Sequence, residues 1–461
     1  MRTGSLPPHS AGRRRDKAAG ARNPLLLLGA ALALAVGCGP ARAQSVGGEL
    51  AAGANNADDN FRRDRNISVL ERRHEGYEAI GVREGGFVLW PKLTTSAEYN
   101  DNIFATGIGE IGDTVFLVAP QLNITSNWSR HSLQAHAQGS FNRFAQNSSQ
   151  DSDDYSFGAD GRLDVLRTAT ISSGVNFAQL TELRTSTNTE GQALPVQYRL
   201  TTAYITGERT LNRLKLSARV DWSKYDYLNR AGNFPQDDQD RQVTVALARV
   251  DYAVSPDTAV FIEVSGNDRH YRLSSSPVVD GVPTFPDFVN RDSQGVTTLV
   301  GANFELAALI RGEIGVGYID QHYKDSAFQD YNGLGARAQV EWFPTQLTTV
   351  TITGSHSVED AGLVGASSYL ATNVGLEVDH ELLRNLILTA NGSYGDDDYR
   401  GIDRTDKRVG LGLSASYLMN RHVGLKLAYN HFKNNSDGTD VAQEFRHYTV
   451  DRVGLTLTLQ Y

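Results

Sequence analysis

The chain has 461 residues, 44 of them Gly, with 19 Tyr, 17 Phe and one Cys, and its hydrophobic fraction is 40%. The formal net charge of −9 disfavours nucleic acid as a partner. No apolar run of about 18 residues follows residue 43, which excludes a helical membrane protein.

In chain order, the first 43 residues read as a secretory signal. Arg13, Arg14, Arg15, Lys17 and Arg22 make a basic n-region, Pro24 to Gly37 is the apolar stretch, and Ala41-Arg42-Ala43 gives a small-x-small cleavage site before Gln44. Cys38 is the one candidate for lipid attachment. Leu is missing three positions before it, so it is expected to leave with the signal. Cleavage after Ala43 leaves 37 basic against 52 acidic residues, a net charge of −15, and no Cys for a disulfide or a metal. Residues 44–66, rich in Asn, Asp and Gly, read as a mobile periplasmic tail. Residues 67–85 are expected to form an ordered linker or a plug at the periplasmic mouth, so 44–85 is one N-terminal segment and 86–461 is a barrel.

From Gly86 onward the pattern has period two, broken by Asn, Asp, Gly and Ser clusters, which means strands. Eighteen segments are expected, with sixteen to eighteen as the working range: 86–100, 112–127, 131–145, 153–166, 168–183, 196–210, 213–227, 240–254, 257–273, 292–308, 311–324, 328–343, 346–359, 368–382, 385–399, 406–419, 422–435 and 446–461. Each can cross a bilayer, which takes about 9–11 tilted residues. Connections alternate short (Leu166-Arg167, Asn420-Arg421) and long (184–195, 274–291), as in an up-and-down transmembrane barrel of the bacterial outer membrane. An even count returns the C-terminus to the periplasm.

Period two also assigns faces. Val453, Leu455, Leu457, Leu459 and Tyr461 share one face of the last strand, ending on an aromatic residue, the pattern that the barrel-assembly machinery recognises. Leu214 to Trp222, Leu334 to Trp342 and Val409 to Tyr417 give similar lipid faces at alternate positions. Trp90, Tyr99, Phe141, Phe177, Tyr204, Trp222, Tyr252, Trp342, Tyr417 and Tyr429 fall near segment ends and are expected in interfacial girdles. The opposite face carries the lumen-lining candidates Lys92, Glu98, Arg162, Lys215, Arg219, Asp221, Glu263, Arg337, Glu341, Glu377, Lys426 and Arg452, with Asp160 and Asp164 beside them. Such charges tune passage, or pair across strands to fill the lumen.

No catalytic, cofactor or metal residues emerge. There is no G-x-S-x-G elbow, and His131, His136, His356, His422, His431 and His447 lie on separate segments. Asp151, Asp153 and Asp154, then Asp237, Asp238 and Asp240, then Asp396, Asp397 and Asp398 form acidic clusters without the spacing of a calcium loop, so a solvated surface is expected.

Residues 68–104 carry a more specific pattern: Arg72, Tyr77 and Gly81 ahead of Gly86-Phe87, then Pro91, then Tyr99-Asn100-Asp101-Asn102-Ile103-Phe104, followed by Ala119-Pro120 and Asn127-Trp128-Ser129-Arg130-His131. This resembles the putative β-barrel porin 2 family. Arg73-His74-Glu75 stands where the family commonly has Pro-Arg-Pro. The resemblance implies a porin-like channel or component for exopolysaccharide export or assembly, with outer-membrane lipid and envelope export proteins as partners. The alternatives are a non-conducting structural barrel and a barrel hydrolase. Asn and Asp after Tyr99 favour turns on their own account, and Pro91 within the first strand suggests a bulge or kink near the seam.

Overall fold

A computed structural model describes residues 67–461 apart from 274–277, 280–281, 284–289, 308 and 364. The expected signal, Cys38, the cleavage after Ala43 and the tail 44–66 lie outside the described residues. Eighteen long strands follow one another: β1 Phe87–Asn100, β2 Asp113–Ser126, β3 Ser132–Phe144, β4 Ser152–Leu166, β5 Ala169–Thr181, β6 Gln197–Leu211, β7 Leu214–Leu228, β8 Arg241–Ser255, β9 Thr258–Tyr271, β10 Ser293–Leu306, β11 Ile310–Tyr323, β12 Tyr331–Thr345, β13 Thr348–Asp360, β14 Ser368–Leu383, β15 Leu386–Arg400, β16 Thr405–Leu418, β17 Val423–Asp437 and β18 His447–Gln460. Each pairs antiparallel with the next, and β18 returns to β1 from Lys92↔Gln460 to Asn100↔Arg452. The sheet therefore closes and has no edge, which is what lets a strand structure satisfy its backbone in lipid. All eighteen expected segments are present, with ends displaced by a few residues at most.

The turn end, with the chain's described N-terminal part and Tyr461, joins strands through tight connections such as 167–168, 212–213 and 384–385. The loop end carries 101–112, 182–196, 229–240, 272–292 and 438–446. The alternation is not strict: 401–404 at the loop end is shorter than 127–131 at the turn end. A four-residue link suffices at 401–404 because Asp403 is held by the neighbouring loop, its backbone N–H donating to Asp440 at 2.8 Å and its carboxylate accepting from Thr439 at 3.0 Å. Acidic clusters close the loop end instead of standing in solvent. A carboxylate from the far side of a loop accepts the N–H of an aromatic residue at, or one short of, the end of the preceding strand: Asp151 from Phe144 at 2.8 Å, Asp240 from Tyr227 at 2.6 Å, Asp292 from Tyr271 at 2.7 Å and Asp330 from Tyr323 at 2.9 Å. Asp397 and Asp398 pair with Arg408 and Arg400.

Outward positions carry the exposed apolar side chains, including Leu216, Val220, Leu334, Leu411, Leu413, Val453, Leu455, Leu459 and Tyr461. Two of the expected girdle aromatics point the other way. Trp90 has the parity of Lys92, faces inward, donates to Thr125 at 3.0 Å and packs against Gly81. Tyr204 pairs with Gly174 and Asp221, lies over the bare Gly174 and donates to Asp160 at 2.9 Å. Proximity to a strand end does not decide a face; parity does. Pro91 makes no bulge either, since β1–β2 register is unbroken through it. It stands one residue beyond the first β1–β18 pair, where a missing N–H costs no ladder bond.

Candidate functional site

Following the register strand by strand around the closed sheet places all twelve lumen candidates on the inward face. They do not form one cluster. Lys92 is exposed into the interior, and Arg162 and Arg452 keep 38% and 29% of their side chains accessible. Arg452 approaches Glu98 at 3.9 Å across the seam. Lys426 and Glu377 are half-buried on β17 and β14. On the opposite wall the charges pack tightly. Lys215 is 3.2 Å from Glu208, Arg219 grips Asp221 at 2.6 Å, and Glu341 pairs with Arg311.

The densest group combines Glu263 and Arg337 with three residues that alternation alone did not single out. Arg249 reaches Asp251 at 2.7 Å, Glu263 at 3.2 Å and Glu313 at 2.7 Å; Arg337 reaches the same Glu263 at 3.1 Å and Glu313 at 2.9 Å. The Arg249 guanidinium lies 3.8 Å from the Phe261 ring centroid. That ring lies across Gly301 and Gly315, where a methyl group would meet it at 2.5 Å and 3.1 Å. Bare glycines on β10 and β11 thus seat an aromatic floor, and the floor carries an ion-pair network on its lumen side. Acidic residues outnumber basic ones over the inward face of the described strands.

Both mouths are crossed by the chain itself. At the turn end, residues 67–81 leave the β1–β18 seam, where the Gly81 N–H donates to Tyr461 at 3.1 Å and Gln460 donates to the Tyr77 carbonyl at 3.4 Å. They reach the far wall, where the Val69 N–H donates to Thr349 at 3.0 Å, Glu71 pairs with Arg311 at 2.9 Å and Arg72 pairs with Glu381 at 3.1 Å. Arg72 also donates to the Gln346 carbonyl. Val69 is wholly buried. Residues 67–81 thus form a strap without a regular helix, followed by the short strand Val82–Glu84 paired with β1.

At the loop end, 182–196 leaves β5, crosses the interior and meets the opposite wall. Arg404 donates to Glu190 at 2.6 Å and 2.8 Å, and Tyr399 and Tyr448 donate to Thr187 and to the Thr185 carbonyl, each at 3.5 Å. Asn188 and Thr189 are buried inside it. Asn102, in the motif after Tyr99, is structural: it donates to the carbonyls of Thr106 and Thr449 and so ties the first loop to β18.

Burial raises the carboxyls under these loops. Glu182 is held high despite hydrogen bonds from Tyr227, Asn188 and Ser186, and Glu190 despite Arg404. Burial likewise raises Asp238 against the pull of Arg291 and pushes Asp240 up to about 6. Docked loops therefore bind protons more tightly than free ones, and docking strengthens as pH falls from neutral through that value. Asp330 is held low by the Tyr323 N–H and His322. At Asp292 burial raises the carboxyl, but the Tyr271 N–H, His270 and Lys324 outweigh it. Both give up their contribution only at more acid pH, below the usual carboxylate range of about 4. Hydrogen exchange in 229–240, the loop that Asp240 closes, should accordingly be slower at pH 5.5 than at pH 7.5 after correction for intrinsic rates. Equal or faster exchange at pH 5.5 would contradict the assignment.

A closed sheet with apolar side chains outside, charges inside, tight turns at one end and long loops at the other defines a porin-like β-barrel of the outer membrane. The chain belongs to the family described as Putative beta-barrel porin 2, which it matches over residues 75–461. Short turns at the periplasmic end and longer loops at the extracellular end are the usual arrangement of such barrels. No curated protein matches the chain. Among solved structures it is similar to OpdL of Pseudomonas aeruginosa, at 13% identity over 82% of this chain and 99% of that one with a TM-score of 0.43. It is also similar to the FrpB iron transporter of Neisseria meningitidis in its apoprotein form, at 9% identity over 83% and 82% with a TM-score of 0.46. The ferric enterobactin receptor of P. aeruginosa gives 7% identity over 81% and 80% with a TM-score of 0.43.

Proposed function

We propose that this protein is a narrow, cation-preferring channel of the outer membrane whose passage runs along the inward face, where acidic side chains outnumber basic ones, and is restricted by its own N-terminal strap. The observation that carries this reading is the strap itself: residues 67–81 join opposite walls at the periplasmic mouth through Glu71–Arg311 and Arg72–Glu381. A purely structural barrel has no need of ion pairs holding a segment across its mouth. The excess of acidic over basic side chains on the inward face supports preference for cations, because fixed charges of one sign concentrate counter-ions in a confined passage. Under a salt gradient in planar bilayers, the reversal potential should show cations crossing more readily than anions. An anion-selective current would contradict this reading, and a barrel silent even without its strap would favour the non-conducting structural role.

Exopolysaccharide export or assembly is the setting we infer for this channel, supported by family membership and by a polar inward face. A deletion strain should export less polysaccharide; normal export would remove this part of the proposal. The outward row Val453, Leu455, Leu457, Leu459 and Tyr461 is well formed for recognition by the assembly machinery, and export through a signal cleaved after Ala43 completes the reading.

A further inference from the structure

The periplasmic rim is basic over part of its circumference, against the acidic balance of the whole chain. Arg384, Arg421, Arg130, Arg167 and Arg213 occupy five successive turns, from the one between β14 and β15, past the seam, to the one between β6 and β7. All five are exposed. Arg130 donates to the Asp164 carbonyl at 2.9 Å. The guanidinium groups of the other four have no hydrogen bond or ion pair among the described residues. Each arginine stands one or two residues from an exposed apolar side chain that ends the lipid-facing band: Leu383, Met419, Trp128, Leu166 and Leu211. The three remaining turns, 256–257, 307–309 and 346–347, have no basic residue. That part of the rim receives the strap, and a cation there would repel Arg72, which donates to the Gln346 carbonyl.

We propose that these five arginines bind the phosphate groups of anionic phospholipids in the inner leaflet of the outer membrane. An apolar residue fixes the depth of each turn at the hydrocarbon boundary, and the adjoining guanidinium then lies at headgroup level. Guanidinium geometry suits bidentate contact with phosphate. Four of the five groups are left unpaired by the protein, which is the state a lipid ligand requires. An acidic periplasmic protein would not need every arginine to be coupled to a lipid-facing residue at the rim.

The test uses the mature chain folded in phosphatidylcholine vesicles containing a minority of phosphatidylglycerol, with the lipids retained by the extracted barrel counted by mass spectrometry. The wild type should retain phosphatidylglycerol well above its bulk fraction. Each of Arg167→Gln, Arg213→Gln, Arg384→Gln and Arg421→Gln should weaken retention at its own turn by about fivefold. Arg272→Gln and Lys324→Gln, at the opposite rim, should leave retention unchanged. Raising salt from about 0.1 M to about 1 M should abolish the enrichment in the wild type alone, which needs no variant to fold. Bulk-level retention by the wild type would overturn the proposal and point to a protein partner. Undiminished retention after all the turn substitutions would overturn it as well.

Discussion

Excising residues 67–80 from the mature chain should raise single-channel conductance several-fold, without loss of the folded barrel. The barrel's closure does not depend on the strap, because β1 and β18 pair directly over Lys92–Asn100. The strap is held by a few side-chain contacts at its far end, and two of these are ion pairs, Glu71–Arg311 and Arg72–Glu381. Partly accessible pairs of this kind are each worth about 0–1 kcal/mol. The docked segment is therefore detachable while the sheet is not. The double substitution Glu71→Ala and Arg72→Ala should reproduce much of the excision, with more frequent open events in single-channel records at neutral pH. Conductance equal to that of the wild type in both variants would show that the passage does not run under the strap.

The second large effect is on stability. Arg249→Ala should destabilise the barrel by about 3–5 kcal/mol, the cost of breaking a buried ionic network by removing one partner. Among the described residues Arg249 alone is bonded to Asp251, Glu263 and Glu313 together, and all three carboxylates are buried. Without it, Arg337 alone faces Glu263 and Glu313, and Asp251 loses a hydrogen-bonded ion pair. The Phe261 ring also loses the cation above it. Denaturant titration in lipid vesicles, followed by tryptophan fluorescence, reads the change. Arg219→Ala is a useful comparison, since Arg219 pairs chiefly with Asp221 in a more accessible place, and its loss should cost clearly less. Equal effects would mean that the network around Arg249 is not a special source of stability.

How much of this was legible in the sequence differs from wall to wall. Strands with clean alternation, such as β18 with Val453, Leu455 and Leu459 outside and Arg452, Thr456 and Thr458 inside, declare their faces. β8 does not. Its inward face holds Val243, Val245 and Leu247 between Arg241 and Arg249, so apolar residues occur on both faces and the period fades. The same holds for Phe261 on β9, Leu299 on β10 and Ile319 on β11, all buried and all inward. Arg249, Asp251 and Glu313 were missed for this reason. Counting parity outward from Asp221, through Asp221↔Val245, would have found Arg249, but only once the register between β7 and β8 was known. The strap and the crossing loop were less legible still. Nothing local in Glu71-Arg72 names Arg311 or Glu381 as partners, because they lie more than two hundred residues away and meet only when the sheet closes. The acidic clusters misled for a related reason. An Asp that caps a strand-end N–H and an Asp in solvent look alike until the loop is folded.

If the chain's own N-terminal strap spans the periplasmic mouth, its tip can be cross-linked to the far wall. Val69 and Thr349 are in backbone-to-hydroxyl contact at 3.0 Å, and the only native cysteine, Cys38, precedes Ala43. With Val69→Cys and Thr349→Cys introduced together, a disulfide should form in the outer membrane of intact cells, visible as a mobility shift that reductant reverses. The oxidised barrel should pass little current in planar bilayers, and reductant should raise it. Absence of the cross-link, or equal current before and after reduction, would contradict the claim.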